Sequence, residues 1–111
     1  MTGKPETYVA TTLDALEKIV SRLPKDHSIF MGDDVLQDAT LMRLQEAGEY
    51  LSQIRDKHPS YYEKYSTESW HKLIGLRNII AHGYLLVDMA KIWQITQSEI
   101  PNLITELNKI R

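Results

Sequence analysis

The chain has 111 residues, 42% of them hydrophobic and 25% charged, with a net charge of −2; this is the length and composition of one ordinary globular domain, residues 1–111. It contains no cysteine, which excludes disulfides, a thiol nucleophile and cysteine-ligated zinc, and fits a reducing compartment. A slightly acidic balance argues against a broad basic surface for DNA or RNA, so any nucleic-acid contact has to be local.

No apolar run approaches the roughly 18 residues of a spanning helix. Met1-Thr2-Gly3-Lys4-Pro5 lacks the apolar stretch of a signal peptide. The expectation is a cytoplasmic protein with no membrane partner. Residues 1–6 read as a flexible polar lead. From Tyr8 to Leu23 the apolar positions Val9, Leu13, Leu16, Ile19, Val20 and Leu23 recur in steps of three and four, the stripe of an amphipathic helix, and Pro24 ends it. Lys25 to Gly32 is a connection, with room for one helical turn around Ile29-Phe30-Met31.

Asp33 or Asp34 caps the second long helix, and Gln37 stands three residues beyond Asp34 as in a capping box. Val35, Ala39, Met42, Ala47, Tyr50, Leu51 and Ile54 are its expected inward face. It runs to Lys57, roughly 35 Å of helix. Gly48 in its interior marks close approach of another helix. His58-Pro59-Ser60 ends it, and Tyr61 to Ser66 reads as a tyrosine-rich loop. A third long helix is expected from Glu68 or Ser69 to His82, with Trp70, Leu73, Ile74, Leu76 and Ile80 buried. Being nearly apolar all round at its end, it is expected to be central. Gly83 follows in a left-handed cap that brings Tyr84 against Ile79. Asp88 caps the next helix, and Ser98 and Pro101 restart it for a last stripe of Ile100, Leu103, Ile104, Leu107 and Ile110. No stretch alternates as a strand. The predicted fold is all-α, a four- to five-helix up-and-down bundle.

One segment stands apart. Leu76-Arg77-Asn78-Ile79-Ile80-Ala81-His82-Gly83-Tyr84 sets an arginine, a histidine and a tyrosine in the most apolar part of the chain. Burying such groups without partners costs roughly 1–3 kcal/mol each, and more for a guanidinium. They need specific partners, or they form a site. Arg77 and His82 lie about 140° apart on a helix and do not share a face, whereas Asn78 and His82 do. Local geometry favours an Asn78–His82 pair. Arg77 and His82 serve one substrate only if the helix unwinds at Gly83 or if two copies meet about a two-fold axis. An arginine can fork onto phosphate oxygens, and a histidine can carry a proton to or from a reacting oxygen. With RNA, the substrate's 2′-OH is a sufficient nucleophile, and no metal or cofactor is required.

The spacing R-x-x-x-x-H-x-Y over Arg77 to Tyr84 resembles the signature of the HEPN superfamily, most closely its HepT type. Ile74-Gly75 before Arg77, Gln37-Asp38-Ala39 with Arg43 and Gly48-Glu49, and Val87-Asp88 followed by Ile92-Trp93 and Ile100-Pro101 are similar to that type as well. The resemblance implies a homodimeric, metal-independent endoribonuclease, the toxin of a type VII-like toxin–antitoxin pair acting on transfer or messenger RNA. It implies Arg77 and His82 as catalytic residues and Asn78 as their polar support. It also implies Tyr84 as the hydroxyl that a cognate minimal nucleotidyltransferase, the antitoxin, adenylylates. Many relatives carry an acidic residue where Gly83 stands. The alternative within the resemblance is a non-catalytic module that binds a nucleotide or a protein partner.

Other features are weaker. Lys72 is a possible RNA contact. Glu68-Ser69-Trp70-His71 has the E-x-x-H spacing of a di-iron bundle but no second copy, so it reads as a helix start and a surface histidine. His27, His58, His71 and His82 show no zinc-type pairing. Tyr61, Tyr62 and Tyr65 with Lys57, His58 and Lys64 either stack on RNA or pack on one another. Asp38, Arg43 and Glu49 are expected in polar contacts within the bundle or at the dimer.

Overall fold

Four helices close a ring around one core in the computed structural model, which describes residues 3–111. The helices are α1 (Pro5–Arg22), α2 (His27–Met31), α3 (Asp34–Lys57), α4 (Pro59–Tyr65), α5 (Glu68–Gly83), α6 (Met89–Gln97) and α7 (Glu99–Ile110), with a 3-10 turn at Tyr84–Leu86 between α5 and α6. Among the described residues there is no strand, and no helix is long and apolar enough to cross a membrane. The predicted all-α class holds.

The ring is α1 on α3, α3 on α5, α5 on α7, and α7 back on α1. Neighbours run antiparallel. Tyr8, near the start of α1, has its ring 6.2 Å from those of Tyr50 and His58 at the far end of α3. Tyr84, just past α5, reaches Asp38 near the start of α3. Across α5 and α7, Thr67 meets Glu106 while Lys72 meets Glu99. Leu13, Leu16, Leu44, Leu51, Trp70 and Leu107 fill the middle, each fully buried. Each such side chain contributes about 1.5–3 kcal/mol. The ends are closed by the short helices. Phe30 of α2 packs on Trp93 of α6, ring centroids 5.3 Å apart. Tyr62 of α4 sits edge-on to Trp70 at 5.6 Å.

The caps follow local chemistry. Asp33 accepts from the Leu36 amide and starts α3; Asp88 accepts from the Ala90 and Lys91 amides and starts α6. Gln37 does not complete a capping box. Its amide donates to the Phe30 and Met31 carbonyls and ties α2 to α3.

Several expectations need correction. Helix α1 begins at Pro5, inside the expected polar lead, because proline is pre-set for the first helical position; Met1 and Thr2 lie outside the described residues. The tyrosine-rich loop is helix α4, started by Pro59 in the same way. Helix α3, not α5, is central: it packs against α1, α2, α4 and α5. Its phase also differs from the expected one. Leu41 and Leu44 are buried, while Val35 and Met42 face outward, 75% and 68% exposed. Gly83 adopts φ −149° and ψ 48°, not a left-handed cap, and the chain passes directly into the 3-10 turn. Tyr84 turns toward α3, where its hydroxyl meets Asp38.

Candidate active site

The antiparallel pairing of α3 and α5 places the site. Gly48 is where the two helices touch. A Cβ built there would lie 2.8 Å from the Leu73 carbonyl oxygen and closer still to the Arg77 Cβ. The missing side chain is thus the notch in which the stem of Arg77 rests.

One residue along α3, Glu49 presents its carboxylate to the guanidinium, with Oε1 2.6 Å from Arg77 Nη2. This is a close approach of opposite charges whose angles fall outside hydrogen-bond geometry, since neither the buried Glu49 Oε1 nor the buried Arg77 Nε has a hydrogen-bond partner. The other oxygen, Glu49 Oε2, accepts from Gln53 at 2.8 Å. Arg77 Nη1 donates to the Asn78 Oδ1 at 2.8 Å. A guanidinium has five N–H donors, so most of its capacity is uncommitted. Its side chain is 32% exposed and opens on a shallow hollow of about 420 Å³ bounded by Met42, Gln45, Glu46 and Glu49. A part-exposed ion pair of this kind is worth only about 0–1 kcal/mol. A phosphate can take the guanidinium from Glu49 at small cost.

His82 lies in the last turn of α5 and is exposed. Among the described residues its side chain makes no hydrogen bond and no ion pair, and the local pair with Asn78 does not form. Asn78 serves Arg77 instead. The exposed outer strip of α5 carries Asn78, Ile79 and His82, with Leu86 beyond; Ile79 and Leu86 are 59% and 89% exposed. The structure brings Arg77 and Asn78 together, leaves His82 facing outward about 140° around the same helix, and gives Tyr84 a separate partner. The Tyr84 hydroxyl donates to Asp38 Oδ1 at 2.5 Å. That bond, with some desolvation, raises the Tyr84 pKa above the usual phenol value. Asp38, Met42, Gln45 and Glu49 form one stripe along α3. The stripe has the tyrosine contact at one end and the arginine contact at the other.

Lys72 is directed elsewhere. Its ammonium pairs with Glu99 at 3.1 Å, and it borders a mainly apolar cleft of about 410 Å³ with Leu76, Ile79 and Leu103, separate from the Arg77 hollow. His71 bonds through Nδ1 to the Tyr62 hydroxyl at 2.5 Å. Among the described residues no three His, Asp or Glu side chains gather where they could hold a metal ion. Tyr61 and Tyr65 pack on each other at 4.6 Å, with Lys64 5.1 Å from the Tyr65 ring. Asp38 and Glu49 make the polar contacts within the bundle that the sequence leads one to expect. Sequence reasoning did not find their partners, Tyr84 and Arg77; Gly48 was the local signal of the close helix contact.

This arrangement on α3 and α5 can be compared with known proteins. Residues 12–110 match the family model described as "Ribonuclease HepT-like". The chain belongs to the HepT-like ribonuclease family, within the HEPN superfamily. The curated relatives of this HepT-like chain agree. A protein of Methanocaldococcus jannaschii named "Putative RNase" is 27% identical over 82 residues, 74% of this chain and 72% of the relative. One from Caldanaerobacter subterraneus subsp. tengcongensis with the same description is 27% identical over 107 residues, 96% and 93% of the two chains. A second M. jannaschii protein, named "Gamma-glutamylcyclotransferase and putative RNase", is 29% identical over 105 residues; the match takes 93% of this chain and 46% of that longer protein. No solved structure matches the HepT-like chain.

Proposed function

We propose that this chain is a metal-independent endoribonuclease that works as a homodimer and is the toxin of a toxin–antitoxin pair. The observation that carries the reading is the held but uncommitted guanidinium of Arg77, on the same helix end as the exposed His82. Arg77 takes a phosphate oxygen of RNA and stabilises the charge that builds on the phosphorus. His82 moves the proton of the attacking 2′-OH or of the leaving oxygen. With about 140° between them on one helix, the two residues meet at a single phosphate only across two copies. A two-fold axis beside the strip of Ile79 and Leu86 would set two arginines and two histidines around one groove and cover those exposed side chains. Tyr84, part-exposed on its turn, is the hydroxyl that a minimal nucleotidyltransferase adenylylates. An attached nucleotide adds phosphate charge and bulk beside the groove and blocks RNA. The working compartment on this reading is the cytoplasm.

The test is direct. Purified protein should cut total bacterial RNA in the presence of EDTA, and Arg77→Ala or His82→Ala should abolish cutting. Expression of the wild type alone should arrest growth, with both variants harmless. Intact RNA and normal growth with the wild type would instead favour the non-catalytic binding module. Co-expression with a small nucleotidyltransferase should add AMP-sized mass that Tyr84→Phe does not take up.

A further inference from the structure

The Asp38–Tyr84 contact does not fit a packing role. Tyr62 shows what such a role looks like in this protein: its ring is buried against Trp70 and its hydroxyl bonds to a histidine. Tyr84 has its side chain 44% exposed on a 3-10 turn, beside Leu85 and Leu86, which are almost wholly exposed. Its hydroxyl nevertheless points at one carboxylate oxygen, 46 residues away in sequence, at 2.5 Å. Among the described residues no lysine, arginine or histidine pairs with Asp38, so nothing competes for its lone pairs. An accessible phenol thus donates to a carboxylate with which no cation pairs among the described residues.

A neutral phenol is a weak nucleophile, and this one is held neutral at rest by the bond itself. It becomes reactive when a base takes the proton as the new bond forms. We propose that Asp38 is the general base for modification of Tyr84, accepting the hydroxyl proton as Oη attacks the α-phosphorus of a nucleoside triphosphate held by the partner nucleotidyltransferase. The inference rests on the adenylylation reading above. In the step, the Oη–Pα bond forms and the bond from Pα to the bridging oxygen of pyrophosphate breaks. Pyrophosphate leaves with that electron pair, and the proton passes from Oη to Asp38 Oδ1. The esterified oxygen has no proton to donate, and its phosphate is an anion beside a carboxylate once that proton is lost to water. The product therefore leaves Asp38, and the hydrogen bond that aligned the reactant is not re-formed.

Two arms test this on the full chain. In the first, no partner is needed: purified protein is treated with fluorosulfonylbenzoyl adenosine, an adenosine-bearing sulfonyl fluoride that captures activated phenols, and labelling is mapped by peptide mass. Asp38→Asn keeps an acceptor oxygen but cannot take the proton. It should slow capture at Tyr84 at least about tenfold and leave labelling at Tyr61 unchanged, while Asp38→Glu restores part of the rate. In the second arm, protein, ATP and the purified nucleotidyltransferase are combined. Asp38→Asn should lower kcat for AMP addition with KM for ATP unchanged. Wild-type rates at Tyr84 for Asp38→Asn in either arm, with the wild type itself modified, overturn the role of Asp38 and leave the adenylylation reading standing. A wild type that takes no AMP overturns both.

Discussion

Gly48 and Arg77 touch across the α3–α5 interface with no room for a single methyl group between them. The arginine is thus placed by backbone contact as well as by charge. Gly48→Ala should cost about 1–3 kcal/mol in overpacking, offset by up to about 1 kcal/mol of helix propensity. One of the crowded atoms is the fixed Leu73 carbonyl, so overpacking wins. The expected net loss is about 1–2 kcal/mol in urea unfolding, with RNA cleavage impaired because Arg77 is displaced. Gly75→Ala is the matched control. Its Cβ would meet nothing within 4 Å, so it should be neutral or stabilise by up to about 1 kcal/mol.

Glu49 holds Arg77 and, on the proposed reading, competes with its substrate. Glu49→Gln removes the charge and keeps the bulk. Unfolding free energy should change by no more than about 1 kcal/mol, the range of a part-exposed pair. RNA binding should tighten by up to about fivefold, the same energy read as affinity. Turnover should fall, because the guanidinium is less well oriented. Titration with a fluorescent, cleavage-resistant RNA separates the first effect from the second. Unchanged binding and turnover would show that Glu49 neither holds nor competes for Arg77.

The raised pKa of Tyr84 has a sign that can be checked. The folded state favours the neutral phenol more than the unfolded chain does. The contribution is fully present below the ordinary tyrosine value of about 10 and is lost as pH rises through the higher folded value. Ultraviolet titration of the wild type minus Tyr84→Phe should show a phenol ionising above the usual range, and Asp38→Asn should bring it down. Tyr61 and Tyr62 are raised too, chiefly by desolvation, and they cancel in the difference.

The outer strip of α5 should govern assembly. Ile79→Glu and Leu86→Glu place charge on exposed apolar positions with no packing role inside the bundle, so thermal stability should be nearly unchanged. Light scattering should show a dimeric wild type and monomeric variants, and cleavage should fall with the loss of the dimer. A wild type that is monomeric at all concentrations would remove the two-copy groove from the mechanism.

The helices were legible because their apolar residues repeat at helical spacing and the starts of α3 and α6 carry Asp33 and Asp88. The errors have physical causes. Pro5 falls in a stretch that reads as a polar lead and Pro59 reads as a helix end, yet both begin helices, as proline at the first helical position does. Val35 and Met42 read as inward because they are apolar, but the phase set by Leu41, Leu44 and Leu51 turns them out. Residue type alone suggests a left-handed cap at Gly83, and the direct passage into the 3-10 turn removes the need for one. Within the site, Arg77, Asn78, His82 and Tyr84 stood out because charge and aromatic hydroxyl interrupt an apolar run. Asp38 and Glu49 read as polar contacts, but their pairing with Tyr84 and Arg77 did not stand out, because the partners lie on separate elements far apart in sequence. Gly48 was the one trace of that contact, since a glycine inside a long helix costs about 1 kcal/mol and needs a reason.

Asp38 and Glu49, at the ends of the stripe, are eleven positions apart, three turns and about 16 Å along α3. This makes one stretch of the chain intolerant of length change. Adding or removing a residue between the two positions would swing Asp38 by about 100° and strand Tyr84, even with Gly48 still seated on Arg77. The connection before α3 has no such duty. Length variation should therefore be accepted around Lys25 and rejected between Asp38 and Glu49, a pattern that a library of single-codon insertions would map along the gene.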